Sequence, residues 1–392
     1  MKVLYLTHNG IGTPLVRSQV LPYLRGLLDR GYDVHLVSFE RGEPFPEGEF
    51  PSARWHPVRP RSGSHLLAKV IDVLVGVRHV HRLVRRERVD ILHARSYLPA
   101  AIAWLVSRLT GRPYIFDMRG FLPDEYVDGG YWTARDLRYR VLRLVEAGLF
   151  RGAAVIVCLT HAGKRRLLTE RRYARWVART PITVIPCAVD LDRFRPVEQR
   201  SDPPSVVYAG SLGMWYLLDE MLRVYAHARE LIPALRFLIL NRSEHAVANA
   251  AIARAGLGGA AITVVAADFA AMPPHLASAS AAIALLRQVP SKIGSSPIKI
   301  GEYLASGLPV IVNAGLGDTD ALVENYAAGH VVRSFSDQEL RHAGLRLAAL
   351  VHDVAARQNA RRAAEETLAL GLGVVAYGQV YESLGARSPR SI

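Results

Sequence analysis

At 392 residues, half of them hydrophobic and 21% charged, the chain is too long for one ordinary core and too apolar for a disordered one, so two domains with sizeable interiors are expected. A formal net charge of +14 calls for an acidic partner: nucleic acid, anionic lipid or a phosphorylated substrate. The two cysteines, Cys158 and Cys187, sit in apolar runs without metal-ligand spacing, which excludes a disulfide framework and reads as core thiols in a reducing cytoplasm.

The chain opens on an apolar run too short for a signal-peptide core and followed at once by a glycine loop, so residues 3–6 read as a first buried strand. An amphipathic helix from about residue 18 to 28 and an apolar run at 34–38 follow in βαβ order. That order predicts a parallel sheet with helices on both faces. Leu66, Val70, Val73, Val77, Val80 and Val84 keep a helical period, and residues 89–93 read as the next strand. The longest apolar stretch, residues 97–106, falls well short of the roughly 20 residues of a spanning helix. Strands at 114–116, 154–157 and 183–185 continue the sheet.

Between residues 190 and 204 the pattern breaks into a polar stretch ending in Pro203 and Pro204, the best linker candidate. A strand at 206–208 and the loop Gly210-Ser211-Leu212-Gly213 then echo the opening of the chain. Further strands are read at 237–240, 262–265, 281–285 and 309–312, and a last helix at about 371–384. The domains expected are residues 1–195 and 203–370, followed by the helix-bearing segment 371–392.

The basic residues lie unevenly. Arg78, Arg82, Arg85, Arg86 and Arg88 form one cluster, and Lys164, Arg165, Arg166, Arg171, Arg172, Arg175 and Arg179 form another, interleaved with Tyr173 and Trp176. Both suit peripheral contact with an anionic membrane, the alternative being solvated surface. A basic nucleic-acid-binding protein is the reading from another class, and the absence of any recognised binding module disfavours it.

In doubly wound domains the ligand belongs at the carboxyl ends of the strands, where glycine loops and helix N-termini offer N–H groups to phosphate. Gly10 and Gly12, in Asn9-Gly10-Ile11-Gly12-Thr13, suit close approach to a diphosphate, or simply a tight turn. They do not form the three-glycine dinucleotide fingerprint, and Glu40 comes late for its ribose acid, which disfavours a dehydrogenase. The strongest signal is Ser295-Ser296-Pro297-Ile298-Lys299-Ile300-Gly301-Glu302-Tyr303-Leu304-Ala305-Ser306-Gly307-Leu308-Pro309-Val310-Ile311. A proline opens a helix whose N–H groups can bind a diphosphate, Lys299 adds positive charge, and one turn later Glu302 can accept from ribose hydroxyls.

This run resembles the donor-binding motif of the retaining GT-B glycosyltransferases, glycosyltransferase family 4, also called group 1. The likeness extends to Leu92-His93-Ala94-Arg95-Ser96, Val157-Cys158-Leu159-Thr160, Val184-Ile185-Pro186-Cys187-Ala188-Val189-Asp190 and Val207-Tyr208-Ala209-Gly210-Ser211-Leu212. It implies an α/β protein of GT-B fold, two Rossmann-like doubly wound domains facing across a cleft, with a C-terminal helix packing back on the first. It also implies a nucleoside-diphosphate sugar as co-substrate, without cofactor or metal, and transfer to an acceptor hydroxyl with retained configuration in the cytoplasm, in glycan or glycolipid synthesis. The acceptor itself stays open, a lipid-linked or anionic molecule being among the candidates.

By the same resemblance Gly210, Ser211, Ser295, Ser296, Pro297, Ile298, Lys299 and Glu302 bind the donor, and Arg242 and Lys299 neutralise the leaving diphosphate. Asp117 and Arg119, in the loop after the strand at 114–116, face the sugar or the acceptor. The sequence departs from the family pattern at Gly294, where the first acid of the paired-glutamate motif is missing, and in Gly213-Met214-Trp215-Tyr216, which lacks a basic residue. His8, after the first strand, is the base of an alternative inverting reaction on a small soluble acceptor. Asp318 reads as a donor-side loop residue or helix cap.

Overall fold

The computed structural model describes residues 1–42, 48, 50–60, 66–198 and 201–386. The chain divides into two compact units, Met1–Pro186 with Gly371–Ile392, and Cys187–Leu370. The first unit holds a sheet of seven parallel strands: β1 (Lys2–Leu6), β2 (Asp33–Phe39), β3 (Trp55–Val58), β4 (Ile91–Arg95), β5 (Tyr114–Asp117), β6 (Val155–Cys158) and β7 (Ile182–Val184). They lie in the order β3-β2-β1-β4-β5-β6-β7, which reverses between β1 and β4 as in a Rossmann sheet. Helices cover both faces of such a sheet, so its strands are continuous apolar runs, and Val3, Leu4 and Leu6 are fully buried. The strand β3 was not foreseen. It is short and carries Pro57, which a sheet tolerates at an edge because proline has no N–H to donate.

The first helical pattern resolves into two helices, Pro14–Gln19 and Leu21–Asp29, broken at Val20 just ahead of Pro22. The helix Leu66–Glu87 follows β3. Within this unit the last helix, Leu370–Gly385, lies against the sheet helices. Gly373 and Gly378 let it approach Tyr23 and Tyr32, whose rings occupy the space a Cβ would need.

The second unit repeats the plan with six parallel strands: β8 (Ser205–Ala209), β9 (Arg236–Leu240), β10 (Ile262–Val265), β11 (Ala281–Ala284), β12 (Val310–Asn313) and β13 (Gly329–Val332). Their order is β10-β9-β8-β11-β12-β13. The edge strand β13, also unforeseen, meets β12 so closely that a Cβ at Gly329 would strike the Val310 backbone. Where the chain enters and leaves this unit, Val189 exchanges backbone hydrogen bonds with Leu368 and Leu370 at 2.7 and 2.9 Å. The described part of the polar stretch 190–204 thus lies inside the second unit, beyond its first residue Cys187. Cys158 and Cys187 are buried thiols, not joined in a disulfide. No helix among the described residues is long and apolar enough to cross a membrane.

Candidate active site

In the second unit the charged residues of the 290–302 segment converge on the loop that follows β8. Gly210, directly after β8, has φ +135°, and a Cβ there would collide with the Lys299 ammonium. Glu244 holds the loop by accepting from the Leu212 N–H at 2.8 Å, and Asn241 Nδ2 donates to the Gly210 carbonyl at 2.9 Å. Farther on, the loop is pinned to the end of β11: Arg287 N donates to Trp215 O and Leu217 N to Leu285 O, both at 2.9 Å. These bonds fix Trp215 and Tyr216 as an aromatic shelf.

Two ammonium groups rest on it. Lys299 Nζ lies 3.6 Å from the Tyr216 ring centroid and donates to Tyr208 Oη at 3.2 Å. Lys292 Nζ lies 3.8 Å from the Trp215 centroid. Both lysines are 8% exposed, so ring faces replace much of their lost hydration. Burial pulls the Lys299 ammonium down to about 7, with Glu302 opposing the fall. Burial pushes Glu302, one turn along the same helix Ile298–Ala305, up to about 7 against the pull of Lys299 and Arg193. Arg193 lies 3.8 Å over the Phe269 ring and donates to Phe269 O at 2.6 Å. Pro297 holds the N-cap position without a side-chain cap, so the first turn keeps the N–H character that attracts phosphate.

Of the residues predicted for the donor, Gly210, Lys299 and Glu302 are thus gathered in one place. Ser211 is exposed on the loop, and its carbonyl accepts from Tyr208 Oη. Ser295 and Ile298 are half-buried beside them, and Ser296 Oγ is turned to the Cys187 N–H at 3.2 Å. Arg242 is exposed after β9, next to Asn241, whose Nδ2 reaches the Gly210 carbonyl. Gly294 ends the short 3-10 turn Pro290–Gly294, and that turn delivers Lys292. Lys292 went unrecognised because its partner Trp215 is far away in sequence. Asp318 occupies the N-cap position of the helix Thr319–Asn325.

In the first unit the geometry corrects the expectation for Asp117. It is fully buried at the end of β5, where Tyr377 of the last helix donates to its Oδ2 at 3.1 Å and Arg119 Nη1 lies 3.5 Å from its Oδ1. His93 Nε2 lies 3.7 Å from Oδ2, while His93 Nδ1 meets Tyr381 Oη at 2.7 Å. Burial alone would raise the Asp117 carboxyl, yet Arg119, His93 and Arg95 hold it down to about 2. With its oxygens engaged inside, Asp117 positions Arg119 rather than facing a sugar. Arg119 adopts φ +56°, a left-handed conformation that a non-glycine residue keeps only where its surroundings impose it. Arg119 Nη2 and Arg95 Nη2 both donate to Gln19 Oε1, at 3.2 and 2.8 Å. Two guanidinium groups thus meet near one carboxylate at the ends of β4 and β5. Arg95 and Gln19 were not anticipated.

The Gly10-Gly12 loop is closed by protein: Glu40 accepts from the Ile11 N–H at 3.0 Å and from Ser38 Oγ, while Thr13 Oγ1 donates to Gly10 O at 2.8 Å. The Ile11 N–H of this loop is thus already matched by a carboxylate of the protein. His8 Nε2 lies 3.7 Å from the buried Asp72 and 3.1 Å from Arg41 Nη2; burial, Lys69 and Arg41 pull its imidazole down to about 4.

The basic run 164–179 also differs from expectation. Tyr173 and Trp176 are buried. Arg166 Nη2 donates to Asp124 at 2.7 Å, and Arg143 bridges Glu146 at 2.6 Å and Tyr173 Oη at 2.7 Å. The helix Leu137–Gly152 turns Arg143 and Glu146 inward because these partners await them. Its opposite face is exposed: Leu137 and Leu144 at 74% and Val141 at 46%, beside the exposed Arg138 and Arg140.

The model of the Glycosyltransferase Family 4 matches residues 18–193. No curated protein sequence is similar enough to this chain to count as a match. Among solved structures, a sucrose-phosphate synthase from Thermosynechococcus elongatus superposes with a TM-score of 0.78 at 17% identity, covering 99% of this chain and 100% of that one. A glycosyltransferase from Rickettsia africae gives 0.73 at 16%, covering 99% of each chain. Anabaena HepE in complex with UDP and glucose gives 0.68 at 15%, covering 98% of this chain and 100% of that one. The fold is that of these enzymes, an α/β protein of the GT-B type with two Rossmann-like units.

Proposed function

We propose that this protein transfers a sugar from a nucleoside-diphosphate donor to an acceptor hydroxyl, with retention of configuration. The observation that carries the reading is the pair of buried ammonium groups, Lys292 and Lys299, held on Trp215, Tyr216 and Tyr208 beside the N-terminus of the helix Ile298–Ala305. A diphosphate entering there meets Lys292, Lys299, whose charged form it stabilises, and first-turn N–H groups, which together stabilise the charge that develops as the bond to the sugar breaks. Glu302 accepts from the ribose hydroxyls. HepE, which binds UDP and glucose on the same fold, supports the donor class. With two ammonium groups supplying the charge, no cation is required. The leaving phosphate then takes the acceptor proton.

The acceptor is anionic in this reading, since the guanidinium groups of Arg95 and Arg119 converge on Gln19 Oε1 at the ends of β4 and β5. It is also presented on a membrane: the exposed Leu137, Val141 and Leu144, flanked by Arg138 and Arg140, fit an anionic lipid surface at its inner face. A second reading rests on His8, whose Nε2 lies 3.7 Å from Asp72, a carboxylate placed to orient it as the base of an inverting transfer. Incubation with a panel of nucleotide sugars in chelator, with the anomeric configuration of the product read by NMR, tests the proposal. Retained configuration, unaffected by His8→Ala, is expected. Inversion abolished by His8→Ala establishes the second reading, and binding of no nucleotide sugar removes both.

A further inference from the structure

The second unit brings together three metal-ligating side chains that the donor site does not use. Ser336-Asp337-Gln338-Glu339 starts the helix Asp337–Leu350, with Ser336 Oγ accepting from the Glu339 N–H at 3.3 Å. Glu339 and His342 stand three residues apart on this helix, so they share a face. That face meets the edge strand β13 at His330. The rings of His330 and His342 are 5.0 Å apart and inclined at 81°, and ligand atoms of His330, Glu339 and His342 all lie within 4.8 Å of one another. His330 Nε2 is buried and has no hydrogen-bond partner among the described residues. A buried polar atom left unmatched asks for an explanation, and a metal ion supplies one.

We propose that His330, Glu339 and His342 form a zinc site that ties β13 to the helix Asp337–Leu350. Two imidazoles and one carboxylate are the ligand set that suits zinc and leaves the hard cations magnesium and calcium poorly served. A tetrahedral ion with bonds of about 2.0–2.1 Å brings its ligand atoms to roughly 3.3 Å from one another, so the site closes by rotation of the exposed His342. Glu339 is already oriented, because its Oε1 accepts from the Arg333 N–H at 3.0 Å. The charge of Arg333 is directed to Glu324. The fourth position falls to water. The same helix lies on Leu218–Leu231, where Gly344 meets His227 and Val224, so a metal clamp at its start fastens the edge strand to the helical layer. Its role is structural, and zinc binding appears as added stability of the folded chain.

The test uses the full chain without an affinity tag, stripped by chelator and titrated with Zn2+ against a chromogenic competitor, with thermal unfolding followed in parallel. One Zn2+ bound per chain and a higher Tm in zinc, unmatched by equal Mg2+, are expected. His342→Ala, at an exposed position, lowers the affinity at least about tenfold and abolishes the Tm shift, whereas His56→Ala, at the stacked His35–His56 pair, changes neither. Absence of uptake by the wild-type chain overturns the proposal. So does zinc binding that survives His342→Ala or is lost in His56→Ala.

Discussion

Buried charge is handled differently at the strand ends of the two units. Asp117, at the end of β5, is enclosed by Arg119, His93 and Tyr377, and its neighbours hold the carboxyl down to about 2. Glu302 and Lys299, in the helix ahead of β12, are also buried, but burial outweighs their mutual attraction and draws both to about 7. A charge stabilised by its protein neighbours is part of the architecture; one left dissatisfied is stabilised by whatever binds next. The contrast separates a carboxylate matched inside the protein from the pair proposed to bind the donor.

Substitution at Asp117 tests the first half of that contrast with the largest expected effect. Asp117→Ala leaves Arg119 and the Tyr377 hydroxyl without their buried acceptor, and the expected loss of stability is about 3–5 kcal/mol. Denaturant unfolding measures it, with donor affinity of the folded fraction unchanged. A stable variant that has lost only turnover restores Asp117 to the reacting atoms. Lys299→Ala should behave in the opposite way. Removing one fixed positive charge from the leaving diphosphate is expected to lower kcat/KM about 10²–10³-fold, without loss of stability, because the ammonium is buried at a cost. Unfolding at a lower denaturant concentration together with unaltered kinetics would place Lys299 with Asp117. Glu302→Ala is expected to weaken donor binding by about 1.5–3 kcal/mol, the range for hydrogen bonds to a charged group. Calorimetry of donor binding reads this, and an unchanged dissociation constant in a folded variant sinks the ribose assignment.

The parallel strands were legible because burial on both faces demands runs such as Val3-Leu4-Tyr5-Leu6 and Val310-Ile311-Val312, which no other local structure explains as well. The two edge strands were not: Trp55-His56-Pro57-Val58 and Gly329-His330-Val331-Val332 are short, half-buried and interrupted by proline or begun by glycine. Glu302 and Lys299 stood out because helix, charge and following strand lie within one continuous segment. Lys292 did not, since its meaning depends on Trp215 arriving from another loop. The helix Leu137–Gly152 misleads period-based reading in both directions, because Arg143 and Glu146 face inward to a ready-made ionic network while Leu137 and Leu144 face out. For the same reason Tyr173 and Trp176, apparent membrane anchors among arginines, turned out to be core.

The most gradual effect expected is one of pH, and its sign follows from the same pair. The folded Glu302 carboxyl is raised from its ordinary 4.5 to about 7, so its protonated form contributes stability that is complete below about 4.5 and is lost as the pH rises through about 7. The folded Lys299 ammonium is depressed from 10.5 to about 7, so its contribution is complete only above about 10.5 and is lost as the pH falls through about 7. Together they place a minimum of stability near neutrality, with slopes of at most about 1.4 kcal/mol per pH unit for each group. Asp117, depressed from 3.8 to about 2, contributes a constant amount above about pH 4 and loses it only below that. The difference in unfolding free energy between the wild-type chain and Lys299→Met/Glu302→Gln isolates the pair from every other titrating group. That difference should be most unfavourable to the wild type near pH 7 and shrink toward pH 5 and pH 9. A diphosphate bound beside Lys299 stabilises its charged form, so donor binding takes up a proton and weakens as the pH rises above about 7. A difference that stays flat from pH 5 to 9 would mean that these two groups are as well compensated as Asp117, and the contrast between the units would fail.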